Sequence, residues 1–174
     1  EHASERMRMA MRKGFSDQAL EDTLRNHQKY GINTMLNILF GHPVETLNDH
    51  HMNLEFLDKY QDLMDDGTIA SLNLQTYIAF LPGTDFADKF ENYTVQDTNI
   101  PTEKTKNKKI PLFWKSKMVD TLDFPEIYRR RKEVSDACAE KNWRTVNERV
   151  FMQKMETELL LYSRWKAESK IKLR

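Results

Sequence analysis

The sequence predicts an α/β fold: parallel strands joined by crossover helices, followed by a mainly helical C-terminal region. Three observations carry this. Gly31–Thr46 is an apolar run that breaks at Gly41 and Pro43 ahead of a helical stretch, the pattern of a buried strand whose carboxyl end opens into a loop. Ile69–Thr84 repeats the pattern and breaks at Pro82 and Gly83. A helix-length segment separates the two, and strand–helix–strand builds a parallel sheet rather than a hairpin. Third, both strands alternate between an apolar and a polar face, whereas an open parallel sheet covered on both sides is apolar on both. A polar face turned inward suits the wall of a barrel cavity. The expected organisation is a barrel portion over 1–92, a lysine-rich loop over 93–117 and a helical region over 118–174.

The opening stretch reads as the end of a strand entering a short helix. Ser4 is a candidate N-cap, Arg6 to Lys13 are helix formers, and Gly14 is the stop. Met7 and Met11 form one stripe, with Arg8 and Arg12 on another face. Ser16 then caps a helix from Asp17 to Tyr30 that ends at Gly31, with Leu20, Leu24, His27 and Tyr30 on its apolar side. His27 reads as a packed residue, not a ligand.

Along the first strand, Leu36, Ile38 and Phe40 share one face; Met35, Asn37, Leu39 and Gly41 share the other. Gly41, with no side chain, is a point where a ligand or a second backbone could come close. Thr46 caps a helix over Leu47–Asp65 whose buried stripe is Met52, Phe56, Leu57, Tyr60, Leu63 and Met64. His50 and His51, about 100° apart on that helix, cannot chelate one metal together and read as surface. The second strand spans Ile69–Phe80, with Ala70, Leu72 and Leu74 inward and Ser71, Asn73, Gln75 and Tyr77 on the polar face.

A short helix is expected from Thr84 to about Asn92, and then a long loop over Tyr93–Leu112. Six lysines between Lys104 and Lys117 flank Phe113 and Trp114. That mixture can bind single-stranded nucleic acid, but Lys+Arg and Asp+Glu both total 27. No global field favours a polyanion, so a solvated loop is the reading adopted. Pro125 opens a helix over Glu126–Lys141 with Ile127, Val134 and Cys138 inward, and Arg129–Lys132 wraps around it. A last helix, Val146–Lys166, carries Val150, Met155, Leu159, Leu160, Leu161 and Tyr162 as its apolar residues, with a fraying tail over Lys166–Arg174.

No apolar run reaches the ~18 residues of a membrane span, and no signal-peptide pattern is present. The single cysteine, Cys138, excludes an internal disulfide, suits a reducing, cytoplasmic setting and reads as core. It also cannot build a thiolate metal or iron–sulfur site alone. The start at Glu1, inside what reads as an element, is expected of a fragment or processed product.

Three motifs, in order, resemble the second half of a radical S-adenosylmethionine enzyme. They are Glu1-His-Ala-Ser-Glu-Arg leading to Met11-Arg-Lys-Gly, Asn37-Ile-Leu-Phe-Gly-His-Pro-Val-Glu-Thr, and Phe80-Leu-Pro-Gly-Thr. The resemblance covers roughly residues 1–91 and lies with the group that often carries a cobalamin-binding domain upstream. His2-Ala3 replaces the usual Ser-Gly, and Asn37 and Val44 stand where glycine is usual.

The resemblance implies a partial (β/α) barrel of the TIM-barrel kind, holding S-adenosylmethionine against a [4Fe-4S] cluster, with cobalamin a further cofactor the parent enzyme could carry. Glu1 and Ser4 match polar residues near the ribose and methionine moieties, and Arg12 matches a basic partner for the methionine carboxylate. Asn37, Leu39 and Gly41 match the strand lying along the adenine, Glu45 ends that motif, and Pro82 and Gly83 match the sixth-strand turn. Asn73, Gln75 and Tyr77 face the substrate side. The cluster motif C-x-x-x-C-x-x-C is absent, so this chain alone is expected to be inactive.

A half-barrel exposes sheet edges, to be closed by the missing N-terminal half, a swapped segment or a second copy. An oligomer and an unidentified small-molecule substrate are therefore expected, with no membrane or nucleic-acid partner. Two other readings remain: a non-catalytic binding or assembly module retaining half of the barrel, whose lysine-rich loop and helical tail hold a partner, nucleic acid among the candidates, and an unrelated α/β domain with a phosphate-type site at the Gly41 and Gly83 turns.

Overall fold

The computed structural model describes residues 1–76, 94–96, 114–119 and 121–172. Tyr77, Pro82, Gly83, the helix expected over Thr84–Asn92 and most of the lysine-rich loop lie outside the described residues.

Helix α1, Glu5–Ala10, is capped by Ser4, whose hydroxyl accepts from Met7 N. It ends earlier than the helix formers suggest. Met11 is the C-cap, Arg12 turns left-handed at φ 57°, and Gly14 lies in the turn beyond. Fully buried Arg8 accounts for the early exit: its guanidinium donates to the carbonyls of His2 and Ala3 from below and of Phe15 from beyond the turn. These bonds fold the chain around that side chain. Helix α2, Asp17–Tyr30, follows with Ser16 as N-cap and Gly31 left-handed at its end, as its local signals require. Leu24 is its one fully buried residue; His27 is half-buried and Tyr30 is 67% exposed.

Strands β1 (Thr34–Phe40) and β2 (Ile69–Thr76) pair in parallel, with Asn37 opposite Asn73 and Leu39 opposite Gln75. The register slips between Thr34, opposite Ile69, and Met35, opposite Ser71. This bulge resets the alternation, so Ile69 joins Leu72 and Leu74 in the core while Ala70 is only half-buried.

Between the strands, Thr46 and Asp49 form a capping box for α3, Leu47–Lys59. The single helix expected to Asp65 is broken at Tyr60, after which α4, Gln61–Asp65, resumes. The Tyr60 ring packs on Phe56 at 4.6 Å and its hydroxyl donates to Glu21 of α2 at 2.7 Å. The break thus ties the crossover to the preceding helix.

Strands β3 (Thr94–Gln96) and β4 (Trp114–Ser116) pair antiparallel, placing a short strand inside the stretch read as loop. Helix α5, Phe124–Glu140, is capped by Asp123 with Pro125 in its first turn and buries Ile127, Val134 and Cys138. It lies against β1, β2 and α3 and closes the apolar face of the sheet. The chain then returns along β2: Leu72 N donates to Arg144 O and Val146 N to Leu72 O, at 2.8 and 2.9 Å. The sheet edge expected to stand open at β2 is therefore met from within the chain at Leu72.

Helix α6, Glu148–Lys172, runs through the tail expected to fray. Its core residues are Met155 and Tyr162, whereas Val150, Leu160 and Leu161 are 70%, 72% and 57% exposed. The rotation is set by Arg131, which pairs with Glu148 and lies over the Phe151 ring at 4.1 Å. That contact turns the Phe151, Met155 and Tyr162 side inward. No described helix is long and apolar enough to cross a membrane.

Candidate functional site

On the face of the sheet away from α5, strand alternation sets Met35, Asn37 and Leu39 beside Ser71, Asn73 and Gln75. Their amides form a ladder: Gln75 Nε2 donates to Asn73 Oδ1 at 2.6 Å, and Asn73 Nδ2 donates to Asn37 Oδ1 at 2.9 Å. The uniform polarity leaves a carbonyl oxygen at the Gln75 end and an NH2 at the Asn37 end. Asn37 is exposed, and Leu39, Asn73 and Gln75 are half-buried. The ladder can read a polar, planar ligand through both donors and acceptors.

The loop after β1 is built differently. Gly41 has φ 85°, and a Cβ there would lie 2.8 Å from Cδ1 of Ile127. Its bare side is thus filled by α5. Its N–H donates to Glu45 Oε2 at 2.7 Å, so it does not offer a phosphate an amide. Glu45 is fully buried. Its other oxygen and its carbonyl both accept from Arg130 Nη1, at 3.3 and 3.0 Å, and Arg130 Nε also donates to Glu126. Burial pushes the Glu45 carboxyl up to about 7, against the pull of the Gly41 amide and Arg130. His42 in the same loop is lowered to about 4, first by burial and then by Arg6.

A second polar knot joins the N-terminal segment to α3. Ser4 Oγ donates to Asp49 Oδ1 at 2.6 Å, and the same carboxylate receives Arg6 and both the N–H and hydroxyl of Thr46. Burial opposes ionisation there, but these donors outweigh it and hold Asp49 well below the usual carboxylate range. Ala3 N donates to Asn53 Oδ1, and His2 Nδ1 accepts from Ser4 N at 3.0 Å. Burial lowers His2 to about 3, so the ring is neutral.

The expected site residues therefore separate. Asn37, Leu39, Asn73 and Gln75 share the sheet face away from α5. Ser4, Gly41 and Glu45 lie in packed seams. Glu1 is half-buried at the β1 edge, paired with Lys13 at 2.7 Å, and its carbonyl accepts from Leu39 N. Arg12 is exposed on the left-handed turn after α1.

His50, expected at the surface, is fully buried, and its Nε2 lies 3.1 Å from Glu133 on α5. Burial lowers its pKa although Glu133 opposes this. His51 is exposed. Asp49 and Asn53 carry no apolar signal, yet their spacing of four continues the buried stripe of Phe56, Leu57 and Tyr60 toward the N-terminus of α3. That periodicity was the available clue.

The residues present do not fit an iron–sulfur cluster. Three thiolates are required, and the sole thiol, Cys138, is buried in the core and pushed up to about 12 by burial. Among the described residues no group of three or more His, Cys, Asp or Glu side chains is placed to hold a metal. Comparison with protein-family models, with curated proteins and with solved structures returns no match to this chain.

Proposed function

We propose that this chain supplies one cofactor- and substrate-facing wall of a partial (β/α) barrel of the radical S-adenosylmethionine type, with the cluster-binding half provided by other polypeptide. The observation that carries the reading is the Asn37–Asn73–Gln75 amide ladder along one face of the parallel pair. Parallel sheets are ordinarily covered on both faces, and an aligned polar row suits a ligand-lined interior. Adenine and the methionine group both offer donors and acceptors to such a row. On this reading the working assembly is cytoplasmic, contains the missing half or a second copy, and acts on a small molecule. Any cobalamin sits outside this chain.

Titration of the 15N-labelled chain with S-adenosylmethionine tests it directly. The side-chain amide resonances of Asn37, Asn73 and Gln75 should shift together, and Asn73→Ala should weaken binding about tenfold, one hydrogen bond's worth. A folded chain whose ladder resonances do not move at millimolar cofactor removes the reading. The Gly41–Glu45–Arg130 contacts favour a second one, a non-catalytic assembly module, because they close the strand-end loop where a ligand would otherwise approach. That module would leave the ladder resonances unmoved.

A further inference from the structure

We propose that Glu45 and Arg130 form a proton-operated latch between the loop after β1 and α5. While Glu45 is protonated, Arg130 sits on the backbone carbonyls that lead into α3. When Glu45 ionises, Arg130 closes its free Nη2 on the carboxylate.

The Arg130 guanidinium is unevenly used. The two hydrogens of Nη1 face three acceptors: Glu45 O and Thr46 O, both at 3.0 Å, and Glu45 Oε1 at 3.3 Å. Nε is committed to Glu126 at 2.8 Å. Nη2 is buried, carries two hydrogens of its own and has no hydrogen-bond partner among the described residues. A charge-assisted N–H···O bond settles at about 2.7–2.9 Å, so at 3.3 Å the guanidinium has not closed on Oε1. The other Glu45 oxygen is held by Gly41 N at 2.7 Å. Nη2 is the donor that remains to close the gap.

The surrounding charges explain why it stays open. Arg129 divides itself between Glu126 and Glu133, and Arg130 between Glu126 and Glu45. Three carboxylates thus share two guanidinium groups. His50, beside Glu133, is pushed toward its neutral form by burial. On the α3 side Asp49 is matched by Arg6, and His42 of the same loop, lowered to about 4 by burial and Arg6, is neutral at pH 7. With every carboxylate ionised, the cluster carries one unmatched negative charge, which is costly inside a fold. A proton removes it. Glu126 is held down to about 2, chiefly by Arg129, so the proton falls to fully buried Glu45, which burial raises to about 7.

Glu45 is therefore protonated below neutral pH and ionised above it. Ionisation draws Arg130 away from Thr46 O, which also accepts from His50 N in the first turn of α3. One proton thereby acts on the loop after β1 and on the start of α3 together.

The test is a pH titration of the chain by NMR, following Glu45 Cδ, the Arg130 guanidinium nitrogens and the amides of Gly41 and His50. All should move with one midpoint near 7. In Glu45→Gln the arginine and amide signals should keep their low-pH positions at every pH. Glu126→Gln leaves two guanidinium groups for two carboxylates and should lower the Glu45 midpoint by about one pH unit, a tenfold change in proton affinity. A Glu45 carboxyl that titrates at the ordinary glutamate value of about 4.3 overturns the latch. So does a midpoint near 7 that leaves the Arg130 nitrogens unmoved, or one that folded Glu126→Gln leaves unchanged. Should Glu126→Gln fail to fold, the parent and Glu45→Gln titrations decide. None of these readouts involves S-adenosylmethionine, so failure here is separate from failure of the proposed function.

Discussion

Glu45 and the histidines His2 and His42 are buried titratable groups whose environments push them in opposite directions with pH. His2 and His42 are held neutral to about 3 and about 4, below their ordinary 6.5. The unfolded chain takes up those protons first, so the histidines remove stability as pH falls below 6.5. Glu45 is raised from 4.5 to about 7, so its contribution is fully present below 4.5 and is lost as pH rises through 7. Acidification from pH 7 to 4.5 is thus partly compensated in the parent. Glu45→Gln lacks that compensation and should lose stability more steeply over the same window, by about 1.4 kcal/mol per pH unit. Urea unfolding at half-unit pH intervals measures this, and parallel curves for the two proteins would refute it.

At the scale of elements, caps and alternation explain why each segment has its form, while cross-element bonds explain where it stops. Ser16 and Gly31 delimit α2 by local chemistry alone. Thr46 does more, because the Asp49 carboxylate that completes its capping box also holds Ser4 and Arg6. Thr46→Ala should cost about 2 kcal/mol, at the upper end for a lost cap, and Ser16→Ala about 1 kcal/mol or less. Denaturant midpoints with unchanged slope report the difference; equal losses would mean that the Asp49 knot adds nothing to the cap.

For the molecule as a whole, α5 is the clamp. Arg130 bonds the loop after β1, and Arg131 donates to the Leu74 carbonyl of β2 while pairing with Glu148 of α6. Two adjacent arginines thereby join the sheet, the crossover and the C-terminal helix. Removing one member of a buried pair leaves its partner uncompensated. Arg130→Met should cost about 3–5 kcal/mol, and adding Glu45→Gln should restore part of that, since the glutamine oxygen can still accept from Gly41 N without a buried charge. A double variant less stable than Arg130→Met alone would show that the ion pair is not what holds the clamp.

Much of this architecture was legible in the sequence because its causes are local. The ends of α2, the cap at Thr46 and the inward set Leu36, Ile38 and Phe40 all follow from residues a few positions apart, and the amide row Asn37, Asn73 and Gln75 follows from the same alternation in two paired strands. Tertiary structure alone decided the fate of the charges. His50, Arg130 and Arg131 are buried because distant groups receive them; Arg130 and Glu45 are 85 residues apart. The break at Tyr60, the bulge before Met35 and the outward turn of Val150 and Leu160 likewise answer to contacts between elements. Gly41 condenses the distinction. Its left-handed turn is a local property, but only the packing of Ile127 decided that its bare side faces a helix.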